Sequence, residues 1–175
     1  MDAVKVLVVD DELVSREKMK RIMRPIAECD EASSGPAAVE AVEEAIASGA
    51  PYDIITLDVI MPGMDGIEVL RRIREAERDR LASDIGRSKI IMVSSSSDKH
   101  TIVSCIKAGC NDYITKPFST DKVIKKLTEN GFAVDTNGDI ELVGPITIQR
   151  DENDANADGE TMSQLVMIGP GGTRV

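Results

Sequence analysis

The sequence predicts an α/β fold of five β-α units, in which a doubly wound parallel sheet carries helices on both faces. Three observations predict it. Short apolar runs at residues 4–9, 53–57 and 89–93 lack the polar alternation of a one-sided strand and suit strands buried on both faces. Amphipathic helical stretches separate them, so strand and helix signals alternate through about residue 129, the pattern of parallel βαβ units. The runs also end in chemically useful polar residues, as expected at the ligand-binding rim of such a sheet.

The first strand, Val6-Leu7-Val8-Val9, ends in Asp10-Asp11-Glu12. A helix over Leu13–Ile26 follows, with Met19, Ile22, Met23 and Ile26 at helical spacing. Glu28 to Ser33 is a more polar strand, expected at a sheet edge. Pro36 to Ala47 places Val39, Val42 and Ile46 on one helical face. Ile54-Ile55-Thr56-Leu57 then closes on Asp58, followed by the turn Met61-Pro62-Gly63-Met64-Asp65-Gly66. Ile67 to Leu81 is helical through Ile67, Leu70 and Ile73, and Lys89–Val93 is the next strand, opening into Ser94-Ser95-Ser96-Ser97. Ile102, Val103, Ile106 and Lys107 continue the helical pattern, Lys116 marks a further strand end, and Asp121–Leu127 is a last amphipathic segment stopped by Asn130-Gly131.

Composition narrows the function. At 175 residues the chain accommodates one well-buried domain with length to spare. With two Tyr, two Phe and no Trp, its core must be aliphatic. A net charge of −10 disfavours nucleic acid and anionic membrane, which need Lys and Arg. No stretch approaches the ~20 apolar residues of a membrane span, and a cytoplasmic protein is expected. Cys29, Cys105 and Cys110 follow no C-x-x-C spacing and read as reduced packing thiols. His100, the sole histidine, rules out a multi-histidine metal site and reads as solvated helix surface.

Asp10, Asp11, Asp58, Ser94 and Lys116 all fall on the predicted rim. Taken singly each has an ordinary explanation: Asp-Asp-Glu as a helix cap, the serines as a turn, a strand-end lysine as solvated charge. Together they form an acidic pocket. Carboxylates in close pairs repel by about 4 kcal/mol at an effective dielectric near 20, so a hard divalent cation such as Mg²⁺ is expected, with Lys116 as a further positive charge. Such a site suits phosphoryl transfer to a carboxylate nucleophile. Asp58 is the candidate nucleophile. Asp10, Asp11, Asp58 and the backbone carbonyl of Ile60 are the candidate metal ligands, and Ser94 offers a hydroxyl to a phosphoryl oxygen.

Val9-Asp10-Asp11-Glu12, Leu57-Asp58 through Gly66, Val93-Ser94-Ser95 and Asn111-Asp112-Tyr113-Ile114-Thr115-Lys116-Pro117-Phe118 together closely resemble the receiver domain of two-component response regulators. The resemblance spans residues 1–129. It implies a (βα)5 fold of flavodoxin-like strand order 2-1-3-4-5, with Asp58 accepting a phosphoryl group in the presence of Mg²⁺ from a sensor histidine kinase or histidine phosphotransfer protein. It further implies that Ser94 is the switch hydroxyl, Lys116 its partner lysine and Tyr113 the aromatic that changes rotamer. The fourth helix (about 98–108), last strand and final helix would then change their contacts with a downstream protein target, in chemotaxis or a phosphorelay. Lys116-Pro117 would be a cis peptide. Ile60 and Ser96 occupy positions that in this family influence the lifetime of the phosphoryl group. The chain would be a phosphoacceptor signalling protein rather than an enzyme acting on other substrates.

Residues 130–175 differ in composition, with eight acids against two bases. They lack a basic, helix-turn-helix output domain, so direct DNA binding is not expected. Phe132-Ala133-Val134 and Ile140–Val143 flank Asn137-Gly138, a type I′ hairpin signal. Ile146–Ile148 and Leu165–Ile168 offer a second pair. This β-rich extension packs on the receiver, pairs with a second chain as a homodimer, or orders with a partner. Asp154–Gly159 matches the first half of a calcium loop, but Leu165 replaces its closing Glu. Gly169–Gly172 reads as a flexible end. Two other classes compete for the whole chain: a phosphorylation-independent scaffold and an aspartate-nucleophile phosphohydrolase. The second usually needs a D-x-D pair, and Asp58-Val59-Ile60 lacks it.

Overall fold

A computed structural model describes residues 4–80, 87–135 and 141–145. Five parallel strands, β1 (Lys5–Val9), β2 (Glu28–Ala32), β3 (Ile54–Asp58), β4 (Lys89–Ser94) and β5 (Asp112–Thr115), are ordered β2-β1-β3-β4-β5. Five helices connect and follow them: α1 (Leu13–Met23), α2 (Gly35–Ala47), α3 (Gly66–Arg80), α4 (Lys99–Ala108) and α5 (Thr120–Glu129). The strand order reverses between β1 and β3, which is where an open parallel sheet binds its ligands.

Alternation along each central strand explains the two-sided core. Leu7, Val9, Ile55, Leu57, Ile90 and Met92 point to the face covered by α2, α3 and α4. Val6, Val8, Ile54, Ile91 and Val93 point to the face covered by α1 and α5, where Met23, Val123 and Leu127 are buried. Both faces are apolar, so these strands read as unbroken hydrophobic runs. The polar strand β2 lies at an edge, as its composition predicts, and only Ala32 in it is buried.

Helix boundaries follow local chemistry. The first helix ends at Met23 rather than at the predicted Ile26, because Pro25 has no N–H and restricts the residue before it. Ile26 is nonetheless buried. Ser34 caps α2, its hydroxyl accepting from Ala37 N at 3.4 Å, and Asp98 caps α4 by accepting from Thr101 N at 2.9 Å. Gly109 ends α4 at φ 101°, a left-handed conformation suited to glycine. Lys116-Pro117 is cis.

Beyond α5, β6 (Phe132–Asp135) pairs antiparallel with β7 (Glu141–Pro145). These are the flanks of the hairpin predicted around Asn137-Gly138. The turn itself lies outside the described residues, as do Leu81, the second predicted strand pair, the half calcium loop and the glycine-rich end. Phe132 is 2% exposed and packs in the core beneath α1 and α5.

Candidate functional site

The C-terminal ends of β1 and β3 bring Asp10 and Asp58 together. Asp58 is the last residue of β3 and Asp10 follows β1 directly; both are buried, at 5% and 4% exposure. Asp11 is exposed beside them. Carboxylate oxygens of Asp10, Asp11 and Asp58 lie within 4.8 Å of one another. Lys116, immediately after β5, reaches across the rim and donates to Asp10 Oδ2 at 2.8 Å and Asp58 Oδ2 at 2.9 Å.

The second oxygen of each buried acid is held by backbone. Ile60 N donates to Asp58 Oδ1 at 3.0 Å and Glu12 N donates to Asp10 Oδ1 at 2.9 Å. Each carboxylate is thus oriented by the turn that follows its own strand. Burial raises the Asp58 carboxyl above its ordinary value, and the nearby Asp10 charge adds to that, against the opposing Lys116 and Ile60 hydrogen bonds. For Lys116, burial works against the ammonium, yet hydrogen bonds to Asp10 and Asp58 and their charges leave its pKa raised. The lysine is therefore charged at neutral pH, lending one positive charge to two buried acids.

Ser94 closes β4, is fully buried, and its Oγ accepts from Ser96 N at 3.1 Å. Lys116 N donates to Ser94 O at 2.7 Å, which ties the lysine strand end to the serine strand end. The Tyr113 hydroxyl donates to Ser96 O at 2.7 Å. Burial raises the Tyr113 phenol, with the Ser94 hydroxyl opposing. Tyr113 and the β4-α4 loop are thereby linked in the arrangement described.

All the residues expected on the rim come to one end of the sheet. Ile60 enters through its N–H, while its side chain is 60% exposed. His100 is exposed on α4. Cys105 is buried and Cys29 and Cys110 are half-buried; burial pushes the thiols of Cys29 and Cys110 up to about 11. Burial thus keeps these thiols protonated near neutral pH, as packing groups.

Two supporting residues escaped sequence reasoning. Arg16 Nη1 donates to Asp10 O at 2.8 Å, and its Nε bonds Glu31 at 3.0 Å, joining α1 to the end of β1 and to β2. Gly66 opens α3 directly against β3. A Cβ there would run into the Asp58 carbonyl oxygen and lie 2.8 Å from Val59 Cα. Its place within the turn motif was visible in the sequence; its need for close backbone approach was not.

A family model described as response regulator receiver domain matches residues 6–128. The chain belongs to this family. It is a receiver domain of two-component signal transduction. The chain is 36% identical over 126 residues to chemotaxis protein CheY of Listeria monocytogenes, covering 71% of this chain and 95% of that protein. It is 39% identical over 130 residues to transcriptional regulatory protein ResD of Bacillus subtilis, but spans only 46% of ResD and matches over 70% of its own length. Among solved structures, the CheX-CheY-BeF3-Mg+2 complex from Borrelia burgdorferi superposes on this receiver with TM-score 0.62 at 27% identity, over 72% of this chain and 87% of that one.

Proposed function

We propose that Asp58 is the phosphoacceptor of this receiver. The observation that carries this reading is the shared grip on one buried carboxylate: Lys116 on Oδ2, the Ile60 N–H on Oδ1, and two further aspartates alongside. In the transfer, an Asp58 oxygen forms the new P–O bond as the P–N bond of a phosphohistidine breaks, and the donor imidazole leaves with the electron pair. The donor is a sensor histidine kinase or a histidine phosphotransfer protein. The chain acts on its own carboxylate rather than on a diffusible substrate.

The three-aspartate set fits a hard divalent cation, since it offers only oxygen donors within 4.8 Å of one another. Asp10, Asp11, Asp58 and the Ile60 carbonyl would hold Mg²⁺. When bound, the ion supplies positive charge against the phosphoryl oxygens. Lys116 contributes a fixed charge at the same rim. The Ser94 hydroxyl, now engaged by Ser96 N, would turn to a phosphoryl oxygen. Tyr113 would follow by leaving Ser96 O, so that α4, β5 and α5 present a changed surface to a downstream protein target.

No helix among the described residues is long and apolar enough to cross a membrane. The proposed donor and target would meet the chain in the cytoplasm. Incubation with Mg²⁺ and a small phosphodonor, followed by intact mass measurement, tests the reading. One added phosphoryl group in the native chain and none in Asp58→Asn is the expected result. Multiple-turnover phosphate release from small esters would show a phosphohydrolase instead, and no gain from any donor or kinase would show a scaffold.

A further inference from the structure

The described surface exposes five large apolar side chains in two groups. Leu13, Val14 and Ile60 sit on the segments that carry Asp10, Asp11, Glu12 and Asp58, so any ligand there meets a cluster of acids. Val103 and Ile106, 45% and 61% exposed, lie one turn apart on α4. Lys99 and Lys107, both exposed, stand four residues to either side of Val103 and share its face.

Across edge strand β5, α5 adds Lys125, whose side chain is 74% exposed, and Lys122, bound to Thr115. Residues 98–129 contain six lysines against four acids, a net +2 in a chain of −10. Three of those acids are engaged locally. Asp98 caps α4, Asp112 meets Lys126 and Asn130, and Glu129 meets Lys126. The fourth, Asp121, is in the first turn of α5. An apolar pair framed by lysines is therefore available on α4.

We propose that residues 151–168 of the same chain cover this α4 face. Residues 151–160 carry five acids and no base, and the apolar quartet Leu165-Val166-Met167-Ile168 follows. That order matches a surface in which lysines surround two exposed aliphatic side chains. It mismatches the other apolar group, where acid would meet acid. It also mismatches the cavity of about 490 Å³ lined by Arg74, Arg78, Arg87 and Lys89, whose lining offers the quartet only Ala108.

The chain is also long enough to reach this face. Pro145 pairs with Phe132, just beyond α5, and five residues lie between it and Asp151, six Cα steps with an extended reach of ~20 Å. α4 lies on the face of the sheet opposite α5, and the twenty Cα steps from Pro145 to Leu165 extend up to ~65 Å, enough to pass from α5 around edge strand β5 to α4. A downstream target that uses α4 must displace the segment. This consequence rests on the proposed switching role; the contact itself does not.

The test uses the full-length chain, unphosphorylated and without donor, so its outcome is independent of whether Asp58 accepts a phosphoryl group. A nitroxide on S163C, with Cys29 and Cys110 replaced by alanine, is read by amide relaxation. Amides of Lys99 to Lys107 should lose most of their intensity. Val103→Asp with Ile106→Asp should restore them, as should about 1 M salt, where the screening length falls to about 3 Å. Mixing isotope-labelled native chain with spin-labelled unlabelled chain should show no broadening. Broadening only in that mixture means a second copy is the occupant and overturns the proposal, as does broadening around Arg74 and Lys89 or none at all. Should the cysteine replacements unfold the protein, amide shifts of the unmodified chain across the same salt series decide: movement on α4 supports the contact, and a silent α4 overturns it.

Discussion

Lys116 stabilises two buried carboxylates with one ammonium, at 2.8 and 2.9 Å. Removing one partner of a buried pair costs more than the pair contributes, because charge is left without compensation. Lys116→Ala should therefore destabilise the metal-free protein by about 3 kcal/mol in urea unfolding. The double variant with Asp58→Asn should recover part of that loss, and equal stability of the single and double variants would contradict the account. At this scale the sequence was legible where a residue's role follows from its place in a strand. Asp10, Asp58, Ser94 and Lys116 end apolar runs, and the topology of a parallel sheet brings such ends together. Arg16 and Gly66 were not legible in the same way. Arg16 looks like any polar helix residue until α1 is docked, and the clash a Cβ at Gly66 would make exists only once α3 meets β3.

At the scale of elements, α3 is anchored to the opposite end of the sheet by hydrogen bonds from an ion pair within the helix, Arg74 with Glu77. Arg74 Nη1 meets Glu77 Oε2 at 2.6 Å and Ser88 O at 2.9 Å, while its Nη2 and Nε reach Asn111 Oδ1 and Gly109 O. Glu77, 1% exposed, also accepts from Ser88 N at 2.8 Å. Glu77→Ala should cost about 3 kcal/mol, measured by chemical denaturation, because it strands Arg74 and the Ser88 amide. Periodicity gives no hint of this network, since Glu77 falls in a run of charges that reads as a solvated helix. The N-cap of α4 behaves differently. Hydrogen bonds from Ser96 and Thr101 hold the Asp98 carboxyl well below the usual carboxylate range. Its contribution to α4 is thus complete above the ordinary Asp value of about 3.9 and is lost as pH falls through the lower folded value. A carboxyl NMR titration should place the Asp98 midpoint below about 3.9; a midpoint at or above it would contradict the capping role.

For the whole molecule, the strand-helix alternation that predicts the fold ends at residue 129, yet the hydrophobic core includes Phe132. Phe132→Ala should destabilise the entire receiver by about 3–4 kcal/mol, read as a lowered urea midpoint, and a change below about 1 kcal/mol would show that β6 is only appended. The five-stranded order was legible because buried parallel strands leave an unmistakable apolar pattern. The sequence places Phe132 only in a hairpin, because its burial depends on α1 and α5 covering the same face of the sheet.

Everything converges on Asp58, and one measurement tests its role most directly. Aspartyl phosphate is reduced by borohydride to homoserine, so peptide mass mapping after brief exposure to a phosphodonor and Mg²⁺ locates the modified residue. The account predicts homoserine at Asp58 alone, abolished when the donor is omitted. Homoserine at Asp10, Asp11 or any other carboxylate, with Asp58 unmodified, would contradict it.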